Sequence, residues 1–222
     1  YNQAFQAPNY SELYLFVKHP TSPLAYVGNE ELQTEKIAGY ELGYKGVFEN
    51  TLFVSVDVYS NQLKDFVTDL GPGLNPKYPS AVILPGEVAP RTIWSYTNAG
   101  KVNEFGYDIA VNYYLSDSWV LDANFTYFSF EVLERHPNDI LLPNSPKHRI
   151  NGGITYTHPR GHIVGLKIKY VPTFPWAAGI YRGDIPAYTL VSLSGQYRLS
   201  SSISFNLNVS NLLDRKHFEI FG

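Results

Sequence analysis

Apolar and polar side chains alternate along eight segments of the chain. The clearest is 202–211, where the odd positions from Ile203 to Val209 are apolar and the even positions are Ser or Asn. A period of two is typical of a strand with one apolar and one polar face. The same pattern predicts strands at 37–48, 51–61, 104–115, 119–127, 148–157, 164–170 and 191–199, with a partial ninth at 1–6. An all-β fold follows.

The connections between these segments alternate in length. Short ones fall at 48–51, 115–118, 158–162 and 199–202, and long ones at 7–36, 68–93, 133–146 and 174–187. Strict alternation places every short turn at one end of an antiparallel up-and-down meander and every long loop at the other. Transmembrane β-barrels of the outer membrane have this asymmetry, whereas the crossing connections of a Greek-key sandwich do not require it.

Composition agrees with a barrel and excludes several other classes. The chain contains 18 Tyr, 13 Phe and 3 Trp, which favour strands, and no run of 18 apolar residues. A membrane protein without apolar helices spans the bilayer as strands of a closed barrel. The net charge of −3 gives no reason to expect a nucleic-acid partner, and the absence of Cys excludes thiolate chemistry.

Aromatic residues near the short turns predict a membrane-interface girdle. Such girdles place amphipathic rings at the level of the lipid headgroups. The predicted girdle consists of Tyr44, Phe48, Phe53, Tyr113, Trp119, Tyr156, Tyr197 and Phe205.

Periodicity alone is compatible with two interpretations: a small complete barrel of eight strands, or a sector of a much larger barrel. Long or charged side chains are predicted to point inwards at Tyr59, Tyr114, Lys167, Lys169, Tyr188 and Arg198. Because a wide, wetted interior accommodates such groups more easily than a narrow one, they favour the larger barrel.

Residues suited to ligand contact lie in the long loops. Aromatic rings with an occasional arginine at the mouth of a barrel can hold a siderophore, cobalamin or glycan by stacking and charge. The candidates are Tyr10, Tyr14, Tyr26, Arg91, Trp94, Trp176, Tyr181 and Arg182. The alternative is that these residues pack the loops against one another.

The sequence gives no sign of catalytic or metal chemistry. His158 and His162 are close, but histidines in a turn are more often solvated than metal-bound. No nucleophile elbow or phosphate-cradling loop is present, and the acidic pairs lie in loops. We therefore expect no catalytic residue, no metal site and no cofactor.

Five motifs resemble the TonB-dependent receptors of the outer membrane. They are Phe5-Gln6-Ala7-Pro8 with the loop that follows, 29–36 leading into 40–45, 96–101 leading into 105–108, 146–148 and 209–217. The resemblance runs from residue 1 to residue 222 in the family's order. Gln6, Thr34 and Asp108 depart from the usual Arg, Pro and Glu, and Gln6 removes a cation that could face a plug or ligand.

The resemblance implies a 22-stranded barrel, an N-terminal plug and a segment that contacts TonB. It implies that 1–222 is a C-terminal part of the barrel, about nine strands, with the plug and the last strand outside this sequence. The expected function is TonB-coupled uptake of a ferric siderophore, cobalamin or glycan. The expected partners are the TonB complex (through the N-terminal part), outer-membrane lipid and a small-molecule ligand.

Two other functions remain open at this stage. A passive diffusion porin or small structural barrel would need neither plug nor TonB segment. An outer-membrane hydrolase would depend on an inward Ser and His.

Overall fold

The computed structural model of the protein describes residues 1–78, 81–98, 100–137, 141–178 and 181–220. Within these residues, one short helix, α1 (Tyr10–Tyr14), accompanies sixteen strands. These strands are β1 (Asn2–Gln6), β2 (Phe16–Lys18), β3 (Leu24–Val27), β4 (Glu35–Phe48), β5 (Leu52–Lys64), β6 (Gly71–Pro72), β7 (Ala81–Val82), β8 (Arg91–Ser95), β9 (Lys101–Tyr114), β10 (Trp119–Glu134), β11 (His148–Thr157), β12 (Ile163–Val171), β13 (Phe174–Ala178), β14 (Tyr181–Ile185), β15 (Tyr188–Arg198) and β16 (Ser204–Val209).

Nine of these strands form one antiparallel sheet, in the order β1-β4-β5-β9-β10-β11-β12-β15-β16. Each predicted strand, including the partial ninth, is a strand of this sheet, and long and short connections alternate along it as predicted. The all-β prediction is confirmed. Within the described residues β1 and β16 are edge strands that do not pair with each other, so the strands form an open sector and not a small complete barrel.

Several strands extend further toward the long loops than their alternation predicts. β10 continues to Glu134, where Phe128 and Phe130 lie on the polar face of the sheet and Ser129 and Glu131 on the apolar face. The pattern inverts there because the long loops cover the polar face. On the opposite face, this part of the strand lies outside the apolar band. Val102 of β9, on the covered face, is fully buried.

Two long loops build a second sheet that the sequence did not predict. β2, β3, β8 and β6 pair in that order, β7 also pairs with β8, and β3 runs parallel to β8. Its core contains Ala25, Val27, Leu84 and Ile93. Parallel pairing of strands so far apart along the chain leaves no local sequence signal.

A third long loop forms the hairpin β13–β14. Phe174 and Ile185 of the hairpin pack with Val171 and Tyr188 in a second buried cluster. No helix among the described residues is long and apolar enough to cross a membrane.

Candidate functional site

The two faces of the nine-stranded sheet differ in chemistry. One carries large apolar side chains that remain exposed, such as Leu42 at 77% and Leu207 at 60%. Strand register places Tyr44, Val56 and Ile109 together on this apolar face. The opposite, polar face carries the row Asp57, Asp108 and Thr126. A sheet with one apolar exposed face matches the wall of a membrane barrel.

Aromatic residues form two bands on the apolar face. The spacing between bands is eight residues on three strands of the sheet, from Phe48 to Tyr40 on β4, Tyr113 to Phe105 on β9, and Trp119 to Tyr127 on β10. Eight residues span about 27 Å along a strand, or roughly 20 Å in height at the usual barrel tilt. That height is close to the apolar band of a membrane barrel, about 25 Å. The band beside the long loops was not predicted.

Seven of the eight predicted girdle residues lie on the apolar face near short turns, where their role as a girdle stays a prediction. Phe53 is the exception. It pairs with Val47 and Asn112 on the polar face, and its ring contacts that of Tyr114 at 5.4 Å. The prediction for Phe53 was wrong because it considered only the distance from a turn. Odd-numbered residues of β5 point to the polar face, so Phe53 shares its face with Ser55 and Asp57.

The polar face is linked by hydrogen bonds between strands. The Thr126 hydroxyl donates to Asp108 at 2.5 Å, and the Asn61 side-chain amide donates to Glu104 at 3.2 Å. Asn151 donates to Asn124 at 2.6 Å. All six residues predicted to point inwards lie on this face.

Charge is divided across the polar face. Its acidic residues lie on β4, β5, β9 and β10 and are Glu41, Asp57, Glu104, Asp108 and Asp122. Basic residues lie on β11, β12 and β15 and are Arg149, Lys167, Lys169 and Arg198, while Lys45 on β4 departs from the division. The two sectors can attract groups of opposite sign.

Arg91, a predicted ligand residue, ties two loops together. Its Nε donates to Glu87 at 2.6 Å, and its Nη1 donates to the carbonyl oxygens of His19, Ser22 and Leu24 at 3.1–3.2 Å. Hydrogen bonds from Arg91 and then Lys18 hold the pKa of the Glu87 carboxyl below its usual range. This guanidinium is used within the loop sheet, so for Arg91 the structure favours the alternative, loop packing, and its contact with a ligand stays a prediction.

Three more candidates also pack the loops. Tyr26 and Trp94 are paired in register across β3 and β8, with their rings 6.3 Å apart and edge to face. Trp176 packs against the buried cluster under the β13–β14 hairpin. For these residues the structure favours the alternative, loop packing.

Four candidates remain available to a ligand. Tyr10 and Tyr14 are exposed on α1, with ring centroids 5.1 Å apart, and Tyr181 and Arg182 are exposed on β14. The aromatic pair on α1 is 80% and 51% exposed, respectively. Exposed rings on a fixed element are suited to stacking on a planar ligand.

The helix that displays the tyrosines is held firmly. Asn9 and Glu12 form a capping box at its N-terminus. The Gly28 N–H donates to Leu15 O and the Asn29 N–H to Glu12 O, each at 2.7 Å. A Cβ at position 28 would lie 2.5 Å from the Leu13 backbone, so only glycine allows this approach.

Polar side chains that join the loops were not predicted as functional parts, although two of them, Glu35 and Asn98, lie in the quoted motifs. Asn98 donates to the carbonyl oxygens of Gln33 and Asp65 at 3.0 and 2.6 Å. Glu35 accepts the Val67 N–H at 2.7 Å, and burial raises the pKa of the Glu35 carboxyl. Asn144 exchanges two hydrogen bonds with Ala177 of the β13–β14 hairpin.

No group of three or more His, Cys, Asp or Glu side chains in the described ranges is placed to hold a metal ion. Together, the alternating connections, the banded apolar face, the polar inner face and the structured loops at one end define the wall of an outer-membrane-type β-barrel.

The family model described as "TonB dependent receptor-like, beta-barrel" matches residues 1–212. The chain belongs to this family, and it is part of a β-barrel of the Gram-negative outer membrane.

Curated relatives and solved structures agree with this membership. The metal-pseudopaline receptor of Pseudomonas aeruginosa is 28% identical over 127 residues, 54% of this chain and 18% of the relative. The ferrioxamine B receptor of Salmonella typhimurium is 27% identical over 132 residues, 55% of this chain and 19% of the relative. The chain thus spans less than a fifth of either relative.

The fold matches solved receptors over nearly the whole chain. A ferric enterobactin receptor of Pseudomonas aeruginosa, in complex with enterobactin, gives a TM-score of 0.71 at 19% identity, covering 96% of this chain and 32% of that one. The copper transporter OprC gives 0.68 at 20% identity, covering 97% and 31%.

Proposed function

We propose that the receptor containing this chain imports a metal chelate across the outer membrane, driven by TonB. The observation that carries the proposal is a family-matched barrel wall whose polar face is covered at one end by structured, aromatic loops. Such an arrangement suits capture of a ligand at the mouth and passage along a hydrated interior. It involves no covalent chemistry, so the receptor acts as a transporter and not as an enzyme.

The names of the relatives support metal chelates over other nutrients. They include a metal-pseudopaline receptor and a ferrioxamine B receptor. Aromatic loops alone are also compatible with cobalamin and glycans, but these two ligand classes receive no comparable support from the names of the relatives. The TonB complex is the proposed energy source because the family is defined by it.

Ligand contact is proposed for the exposed pair Tyr10 and Tyr14, with Tyr181 and Arg182 on the β13–β14 hairpin. The first pair stands on a capped helix, so its rings are presented without a large cost in ordering. Arg182 supplies a charge suited to carboxylate or catecholate oxygens.

Uptake tests the function. Cells producing the full-length receptor are given radioiron complexes of enterobactin and of ferrioxamine B, with TonB present or deleted. We expect accumulation of at least one complex only when TonB is present. Accumulation that persists without TonB indicates passive diffusion, and no accumulation of either complex counts against the metal-chelate class tested.

The aromatic site is tested separately with paired variants. Replacing Tyr10 and Tyr14 together with alanine removes two stacking surfaces, each worth about 1 kcal/mol, so affinity for the imported complex should fall roughly tenfold or more. The double replacement with phenylalanine keeps the rings and should bind within about twofold of the wild type. Equal binding by all three proteins contradicts the assignment.

A further inference from the structure

Two neighbouring short turns form a basic cluster at the end of the sheet opposite the ligand loops. The turns are 158–162, between β11 and β12, and 199–203, between β15 and β16; they lie side by side because β12 pairs with β15. They and the strand ends beside them carry His158, Arg160, His162 and Arg198. Neither turn contains Asp or Glu, so the local charge is positive.

Aromatic rings continue the lower band of the apolar face into this turn cluster. The ring centroids of Tyr156 and His158 are 6.3 Å apart, and those of His158 and His162 are 5.5 Å apart. The ring of His162 stacks on that of Tyr197, with the centroids 4.6 Å apart and an interplanar angle of 4°. The four rings form a continuous row at the level where a membrane barrel meets the headgroups.

Backbone hydrogen bonds set the hydrogen positions on both imidazoles. The Arg160 N–H donates to His158 Nδ1, and the Arg198 N–H donates to His162 Nδ1, each at 3.1 Å. A neutral imidazole that accepts at Nδ1 carries its hydrogen on Nε2. Both rings therefore offer an Nε2–H donor, and no partner for either Nε2 occurs in the described part of the chain.

The turn geometry also positions a guanidinium. Arg198 Nε donates to Ser200 O at 3.3 Å, and its side chain lies over Gly161, where a Cβ would be 3.0 Å from Cδ and 3.2 Å from Nη1. Gly161 has a φ of +83°, a left-handed conformation that favours glycine. Arg160 and Arg198 form no ion pair with another described residue.

We propose that this turn cluster binds the phosphate of an anionic phospholipid in the periplasmic leaflet. Arg198 starts on the polar face at the last position of β15, but its guanidinium reaches Gly161 in the neighbouring turn, at the rim of the wall. There it can act with Arg160 and the two imidazole donors, which together match a phosphodiester, a group that accepts bidentate bonds from arginine. The acyl chains would lie along Val164, Leu166 and Leu207, which are exposed on the apolar face directly above the turns. A bound lipid of this kind would anchor the barrel at a defined depth.

The proposal depends on the outer-membrane orientation and not on the transported ligand. The full-length receptor in detergent is titrated with phosphatidylglycerol, phosphatidylcholine or inorganic phosphate, and bound lipid is measured by native mass spectrometry. We expect phosphatidylglycerol to bind at least tenfold more tightly than phosphatidylcholine, and millimolar inorganic phosphate not to displace it.

Paired variants locate the site. Arg160→Gln with Arg198→Gln should lower phosphatidylglycerol affinity by about 20-fold, roughly fivefold per arginine, without changing phosphatidylcholine binding. The matched control, Lys77→Gln with Arg135→Gln, removes two exposed cations at the opposite end and should bind as the wild type does. Arg160→Gln alone keeps the test valid if the double variant fails to fold, because only the Arg160 backbone is hydrogen bonded.

Several results would overturn the proposal. They are equal affinity of the wild type for the two lipids, unchanged phosphatidylglycerol binding in both arginine variants, and full displacement by inorganic phosphate, which would indicate a site for free anions. Loss of TonB-driven uptake with unchanged lipid binding would assign the turns to a protein partner instead.

Discussion

Individual side chains in the loops have mainly a structural role. Arg91 illustrates this, because an arginine in an aromatic loop suggested a ligand contact, yet four hydrogen-bond partners within the loops engage it. Three of those partners are main-chain carbonyls from the other loop, which sequence position cannot reveal. On a strand, the face on which Phe53 lies depends on its odd-numbered position and not on its distance from a turn.

Arg91→Ala should release the loop sheet while leaving the barrel strands intact. Loss of hydrogen bonds to a partly buried charge costs roughly 1.5–3 kcal/mol of local opening free energy. Limited proteolysis of the full-length receptor should then cut within 7–34 or 65–90 at least tenfold faster. Arg182→Ala, an exposed arginine without this network, serves as the control. Equal cleavage rates for Arg91→Ala and wild type would contradict the structural role.

Glu35 lies beyond the membrane-spanning band. Two variants of this residue distinguish the effect of its charge from the effect of its hydrogen bond. Glu35→Gln keeps an acceptor for the Val67 N–H and removes the buried charge, so protection of the Val67 amide from hydrogen exchange should be unchanged or greater. Glu35→Ala leaves that N–H unpaired and should lower protection about tenfold. Lower protection in the Gln variant than in the Ala variant would contradict this account.

The raised pKa of Glu35 also predicts a pH dependence. Because burial favours the protonated carboxyl in the folded state, the wild-type contact between Glu35 and Val67 should strengthen as pH falls through the raised folded pKa toward the ordinary value of 4.5. Glu35→Gln should lose this dependence. The check is the difference in Val67 protection between the two proteins across that pH range. A constant difference would contradict the raised pKa.

At the scale of elements, the sequence predicts strands well and loop structure poorly. Eight of the nine sheet strands follow from their period of two, because each meets apolar surroundings on one face only. The pattern fails beyond Tyr127, where the loops cover the polar face and Phe128 and Phe130 turn inward. It also fails for β3 and β8, whose parallel pairing joins Leu24 to Thr92. The aromatic pair on α1 could be proposed from sequence, but the capped helix that holds it could not.

Opposite faces of neighbouring strands should differ in their tolerance of charge. Ile168→Lys places a cation on the apolar face midway between the two aromatic bands, where a lysine near the bilayer midplane costs about 2–4 kcal/mol of folding free energy. Ser192→Lys places the same group on the polar face and should change stability by less than about 1 kcal/mol. The measurement is equilibrium unfolding of the full-length receptor in phospholipid vesicles. Comparable losses in both variants would show that the two faces do not differ in surroundings.

At the scale of the whole molecule, three levels stack along the sheet. The long, structured loops lie at one end, the banded wall spans the middle, and the basic turn cluster lies at the other end. The open edges at β1 and β16 show only that the described strands form a sector; the 22-strand count and the plug remain predictions from the family. Every functional proposal depends on lipid meeting one face of this sector and water the other.

Spin-label accessibility on β12 tests that dependence most directly. The sequence contains no Cys, so single cysteines at successive positions from 164 to 169 can be labelled without removing one from this part of the receptor. In vesicles, labels at 164, 166 and 168 should collide mainly with oxygen, which concentrates in lipid. Labels at 165, 167 and 169 should collide mainly with a water-soluble nickel complex. Accessibility without this alternation, or with its phase reversed, would contradict the barrel wall and the transport role built on it.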